Sequence, residues 1–267
     1  MDKFPRTTVA GISMPRLICG TNWILGYSHT SSAQSEFVKN YINENKVVDI
    51  FMTFLKYDID AVMGPPNNFL VKCIKKAEDK SGKKIIYICT PWKIEEVKWA
   101  KENGATFCFP HQAVTDSFVN RREKNIKGIE VWLKRIREEG MIPGLSTHMP
   151  EAIIYADKEN LDVETYIQLY NVLGFLCQVE IEWINKVIQE AKKPVMIIKP
   201  LAAGRISPFP GLVFVWNTIR DIDMVTIGCM SPYEVEEDIN ISLSILEKRK
   251  ADIELEKTRS KKSLINE

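Results

Sequence analysis

The chain carries three histidines, His29, His111 and His148. Imidazole is the side chain most easily poised as acid or base near neutral pH. His111 and His148 each follow a short run with strand character, 106–109 and 141–145, and so stand at predicted strand ends. His29 falls in a loop and reads as a solvated or lid residue. Lys199 closes the run 195–199, where a desolvated amine serves as an electrophile or as an imine-forming nucleophile. Asp58 and Asp60 are two apart, a spacing that puts both on one face of a strand. Either carboxylate there can pair with Lys199 or a histidine, the usual fate of charge in a barrel core. No H-x-H pair accompanies these residues, and no metal site is predicted. Two small-residue turns follow, Lys199-Pro-Leu-Ala-Ala-Gly-Arg205 and Ile227-Gly-Cys-Met-Ser231. Each leads into a predicted helix, so the backbone around Gly204, Gly228 and Ser231 can cradle a phosphate, with Arg205 adding a charge-assisted contact.

The elements that must position these groups follow from patterning. Short β-branched runs alternate with longer stretches of helical spacing. Strands are predicted at 16–20, 57–63, 84–89, 106–109, 141–145, 162–169, 195–199 and 224–228. Helices are predicted at 31–45, 68–80, 94–103, 123–139, 150–159, 180–192, 211–220 and 233–248. Eight such units in 267 residues imply an α/β fold, a closed (β/α)8 TIM barrel whose active site lies at the C-terminal ends of the strands. Residues 7–13 read as a short N-terminal β-hairpin. One domain is expected over 1–246, followed by a polar, charged tail over 247–267, frayed or disordered. Trp132, Trp183 and Trp216 lie in predicted helices, where burial against the barrel accounts for them.

Composition narrows the function. Lys plus Arg is 36 against 35 Asp plus Glu, so the basic excess of a phosphate-neutralising nucleic-acid binder is missing. No run approaches the ~18–20 apolar residues of a membrane span, and the first residues lack a signal-peptide pattern. The six cysteines are scattered with no C-x-x-C pair; they read as reduced core thiols, with neither a zinc site nor an iron-sulfur cluster. A cytoplasmic protein with a small-molecule substrate, and no nucleic-acid or membrane partner, is the expectation; composition leaves the oligomeric state open.

Several of these segments carry a resemblance. Gly144-Leu-Ser-Thr-His148, Gln168-Leu-Tyr-Asn171, Lys199-Pro-Leu-Ala-Ala-Gly-Arg205 and Ile227-Gly-Cys-Met-Ser-Pro-Tyr-Glu234 are similar to the fifth to eighth strand motifs of the aldo/keto reductase family. Cys108-Phe-Pro-His111 resembles its fourth-strand histidine segment, and the hairpin fits as well. The resemblance implies an NADP(H)-dependent oxidoreductase with an Asp, Tyr, Lys and His tetrad. In that tetrad Tyr protonates the carbonyl, and Lys, paired to Asp, tunes the Tyr. Residue by residue, His111 matches the histidine and Asp60 the aspartate. Ser146, Thr147, Gln168 and Asn171 fall on the cofactor side, the last two toward the nicotinamide carboxamide, with Gly204, Arg205, Gly228 and Ser231 toward the phosphates.

The tetrad tyrosine is replaced by Pro65 and the lysine by Pro91, and a proline side chain has no polar group. Loss of a general acid costs ~10²–10⁴ in rate. The expectation is therefore an NADP(H)-linked oxidoreductase of a small carbonyl or sugar-like substrate with an altered catalytic tetrad, using Tyr27, Tyr57 or His148 as substitute proton donor. Two alternatives stay open. One is a non-redox lyase or isomerase of a phosphorylated or polyhydroxylated small molecule, with His111 or His148 as base and Lys199 as electrophile or amine. The other is a non-catalytic binding protein on the same scaffold.

Overall fold

The computed structural model describes residues 3–253 and 255–264. The chain enters through an antiparallel hairpin, β1 (Arg6–Val9) and β2 (Ile12–Pro15), reversed at Ala10 and Gly11. Both turn residues have positive φ, at 50° and 79°, as a tight hairpin turn requires. Next come β3 (Leu17–Gly20), α1 (Ser32–Tyr41) and α2 (Glu44–Lys56), then β4 (Ala61–Gly64) with α3 (Asn68–Ser81) and β5 (Ile86–Cys89) with α4 (Glu96–Glu102). β6 (Ala105–Cys108) leads to α5 (Gln112–Ser117) and α6 (Glu130–Glu138), and β7 (Ile142–Pro143) with β8 (Leu145–Thr147) leads to α7 (Glu151–Glu159). β9 (Tyr166–Leu169) precedes α8 (Ile181–Glu190), β10 (Val195–Ile198) precedes α9 (Pro208–Thr218), and β11 (Met224–Ile227) precedes α10 (Pro232–Leu246).

The nine strands after the hairpin form one parallel sheet in the order β7-β6-β5-β4-β3-β11-β10-β9-β8. Its two end strands are halves of one barrel strand: β7 pairs with β6, β8 pairs with β9, and only Gly144 separates them. The sheet thus closes on itself as an eight-position barrel, the expected (β/α)8 architecture. A side chain at Gly144 has no space, since a Cβ there would lie 2.2 Å from the Phe109 ring and 2.6 Å from the Thr165 carbonyl oxygen.

Alternation along each strand sorts the residues into two layers. Ile18, Ile88, Phe107, Ile167, Met196 and Met224 fill the barrel, with Val9 and Met14 of the hairpin packed among them. Their strand neighbours Leu17, Tyr87, Leu145, Tyr166, Ile197 and Val225 face the helices. Arg16 anchors the end of the hairpin to residues before β11, donating to the Asp223 and Arg220 carbonyls at 3.0 and 2.9 Å. The hairpin therefore sits at the N-terminal end of the barrel, opposite the mouth.

Three expectations change. The helix expected over 31–45 is two helices, because the Asn43 side chain accepts the Lys46 N–H at 3.1 Å and starts α2. The strand expected over 57–63 begins only at Ala61, since Asp58 adopts φ 57° and turns the chain. Asp58 and Asp60 consequently share no strand face and do not reach the barrel centre. Asp58 binds Lys83 at 2.6 Å and Lys3 at 2.9 Å, which hold its carboxyl down at about 2, and Asp60 binds Arg6 of the hairpin at 3.0 Å. Trp132 and Trp216 are buried as expected, but Trp183 is 59% exposed on α8.

All six cysteines are free, and no helix among the described residues is long and apolar enough to cross a membrane. Past α10 the chain has a 3-10 turn at Arg259–Leu264; of the expected tail, 254 and 265–267 lie outside the described residues.

Candidate active site

At the C-terminal mouth the strand ends enclose a cavity of about 560 Å³. β10 delivers Lys199 into it. The residue after the strand adopts φ 57°, as do Ala202, Ala203 and Gly204 at 49°, 55° and 79°. This run of left-handed backbone folds the turn tightly, with the Ala202 N–H on the Lys199 carbonyl and the Gly204 N–H on the Leu201 carbonyl, both at 2.9 Å. Lys199 is the one lysine or arginine among the described lining residues, and Glu234 the one carboxylate. Glu234 is already engaged, accepting the Met230 N–H at 2.6 Å. Burial with no answering acid pulls the Lys199 ammonium down to about 8.

All three histidines line the same cavity. His111 caps α5: the Ala113 N–H donates to its Nδ1 at 3.2 Å. The neutral ring then carries its proton on Nε2 and acts there as a donor. Such a tautomer is also the wrong one for a metal held at Nε2, which requires that nitrogen bare and the other protonated. The Trp92 ring lies against it, centroids 4.7 Å apart. His148 follows β8. His29 reaches the mouth from the loop between β3 and α1, where Asn22 Nδ2 donates to its Nε2 at 3.1 Å and Arg205 Nη2 donates to its carbonyl at 3.0 Å. Each imidazole is pushed down to about 4, first by burial and then by the charge of Lys199, joined by Arg205 at His29 and by the other two rings at His148. At neutral pH the cavity therefore holds three neutral imidazoles around one desolvated amine.

His29 is the residue that sequence reasoning left outside the site. Nothing in its local spacing marks it, because it reaches the mouth through a loop fastened by a side chain distant in sequence.

Of the other expected residues, Ser146, Gly204 and Gly228 line the cavity, and the rest do not. Asp60 lies at the opposite end of the barrel. Thr147 faces outward from β8 with its hydroxyl on Asp116. Gln168 points outward from β9, its Nε2 on the Leu169 carbonyl at 3.0 Å and its Oε1 without a partner, while its neighbour Ile167 faces the cavity. Asn171 closes its own loop, donating to the Phe175 carbonyl at 3.1 Å and accepting the Phe175 N–H at 2.9 Å. Arg205 donates to the carbonyls of Ala202 and His29 and stacks 3.9 Å from the Phe175 ring centroid. Ser231 caps α10, accepting the Glu234 N–H at 3.3 Å. Of the substitute proton donors, Tyr27 lines the cavity and Tyr57 does not.

Of the residues expected to hold NADP(H), Ser146, Gly204 and Gly228 are in place at the cavity, and the others are engaged elsewhere. The amides expected to hold the carboxamide are turned away, and the guanidinium and several turn N–H groups expected at the phosphates already have partners. Trp23 also covers the two glycine turns: a Cβ at Gly228 would meet its indole at 2.9 Å, and one at Gly204 at 3.5 Å.

No protein-family model matches the chain, and no curated protein sequence matches it. Solved structures do. One from Pseudomonas aeruginosa described as an aldo-keto reductase is similar at 12% identity, with a TM-score of 0.65 over 92% of this chain and 97% of that one. An aldo/keto reductase from Brucella melitensis is similar at 13% identity, TM-score 0.58, over 90% and 93% of the two chains. A truncated 3-deoxy-D-arabino-heptulosonate 7-phosphate synthase from Thermotoga maritima is similar at 8% identity, TM-score 0.55, over 92% and 90%. At these identities the likeness is one of fold: the chain has an aldo-keto-reductase-like barrel, and a synthase shares its outline. Fold alone does not carry an activity across.

Proposed function

We propose that the cavity is the active site of a barrel enzyme that joins Lys199 to a small hydroxylated carbonyl compound as an imine and performs a redox-neutral lyase or isomerase step. The observation that carries this is Lys199 itself, a desolvated amine pulled down to about 8, with the one carboxylate among the described lining residues, Glu234, engaged elsewhere. At pH 7 about a tenth of such an amine is unprotonated, against less than a thousandth for an ordinary lysine. Its Nζ lone pair attacks the carbonyl carbon; the carbonyl oxygen takes one proton from Nζ and one from solvent and leaves as water, giving an iminium. The Nε2–H of neutral His111 donates to the developing oxygen, as a neutral imidazole electrophile does. Neutral His148 then removes a proton from the carbon beside the iminium, giving an enamine. Returning that proton to the opposite face of the same carbon inverts it and restores the iminium; water then hydrolyses the iminium, releasing the epimerised carbonyl compound and the Lys199 amine, and no electrons leave the substrate. Reducing the iminium with borohydride in the presence of glyceraldehyde tests this: a secondary amine on Lys199 is expected, and its absence at every carbonyl probe tried contradicts it.

A second reading, an NADP(H)-linked reductase of a small carbonyl or sugar-like substrate, is favoured by the fold and by His111 at the mouth. It requires Trp23 to leave Gly204 and Gly228, and Gln168, Asn171 and Arg205 to change partners. Saturable micromolar binding of NADPH would support it over the imine.

A further inference from the structure

Asp116 lies outside the cavity lining, one helical turn beyond His111 on α5, and no reaction step uses it. Its carboxylate grips the turn that carries His148. Oδ1 accepts the Thr147 hydroxyl and Oδ2 accepts the His148 backbone N–H at 3.2 Å. Thr147 Oγ1 in turn accepts the Met149 N–H at 2.9 Å. The six-residue helix thus begins at one cavity imidazole, His111 as its cap, and ends in a carboxylate fastened to the segment bearing another. Charge-assisted hydrogen bonds to backbone N–H groups are roughly twice as strong as neutral ones, so this contact is well suited to fix a turn.

From this geometry we infer that Asp116 is a positioning residue: it sets His148 relative to His111 across the cavity. The inference rests on the cavity being the active site. The carboxylate acts through the backbone: its contacts here are the Thr147 hydroxyl and the His148 N–H, while burial and then the charge of Lys199 hold the His148 ring's pKa down.

The test follows the Cε1–H resonances of all three histidines with pH in the full chain, alongside the rate of borohydride trapping with glyceraldehyde. In Asp116→Ala, the freed turn admits water to His148, and its pKa is expected to rise from about 4 by at least ~1 unit toward the ordinary 6.5, while His29 stays unmoved. Trapping is expected to slow roughly tenfold or more, an effect of the size seen for misplaced catalytic groups, with Lys199 still the residue labelled. Asp116→Asn keeps an acceptor for the His148 N–H and is expected to restore most of both. A His148 titration unchanged in Asp116→Ala, with only a lower melting temperature, overturns the inference in favour of a purely structural carboxylate. Should Asp116→Ala fail to fold, Thr147→Val removes the hydroxyl's contacts with Asp116 and with the Met149 backbone and leaves the Asp116 contact to the His148 N–H; a smaller shift of the same sign supports the inference, and none overturns it. The resonances report on Asp116 even if no probe is trapped, so failure of the imine chemistry is distinguishable from failure of the positioning role.

Discussion

At the scale of residues, the site depends on what its charges lack. Among the described residues no free acid stands beside Lys199, and the three imidazoles share the cavity with its positive charge. Their folded pKa values, about 4, lie below the ordinary 6.5, so between these values the unfolded chain binds more protons and the imidazoles favour the folded state increasingly as pH rises. The Cε1–H shifts of all three are expected to stay flat from pH 5.5 to 8 and to move only below that range. A histidine titrating near 6.5 would show its ring to be solvated. His111→Ala removes the Nε2 donor and is expected to slow imine formation by ~10²–10³, the range for a lost donor to a developing oxyanion, measured as the trapping rate at fixed pH. Lys199 remains labelled in that variant, because the nucleophile is intact.

At the scale of elements, two positions expose how tightly the barrel strands are matched. Gly144 is where one strand changes partners from β6 to β9, and Phe109 and the Thr165 carbonyl occupy the space beside it. Gly144→Ala is expected to cost ~1–3 kcal/mol or more by overpacking, read as a lower denaturation midpoint. Asp238 on α10 is 3% exposed, with Oδ1 unpartnered and Oδ2 3.5 Å from the Cys229 thiol. Burial raises its pKa to about 7. A carboxyl raised in this way contributes stability below its unfolded value that is lost as pH rises through 7. Asp238→Asn is therefore expected to raise the melting temperature relative to wild type at pH 8 and to raise it by clearly less at pH 5; equal effects at both pH values would count against this.

The elements also show what was legible beforehand. The eight units were readable because period-two runs and helical spacing recur along the chain. His111, His148 and Lys199 were readable because a barrel's topology brings strand C-termini to one rim. The register within each strand was not. Ser146 faces the cavity while Thr147 faces away, and Ile167 faces it while Gln168 does not; a one-residue difference exchanges the faces of a strand. Asp60 was misplaced for a related reason. The turn at Asp58 delays β4 and leaves both carboxylates at the N-terminal end, where lysines and an arginine meet them.

At the scale of the whole molecule, the barrel is closed at one end by its hairpin and opens at the other into a single-amine cavity. The fold is shared with aldo-keto reductases, while the positions at which the sequence resemblance expects a tyrosine and a lysine hold Pro65 and Pro91. NADPH fluorescence is expected to show no saturation up to millimolar cofactor in wild type, with Trp23 across both glycine turns; micromolar saturation would mean that these turns open. The most direct measurement is borohydride reduction of the wild-type protein with glyceraldehyde, followed by peptide mass spectrometry. The imine mechanism requires the added mass on the peptide containing Lys199, increasing in rate as pH rises through about 8 and absent in Lys199→Met. Label spread over the surface lysines, or retained in Lys199→Met, would contradict it.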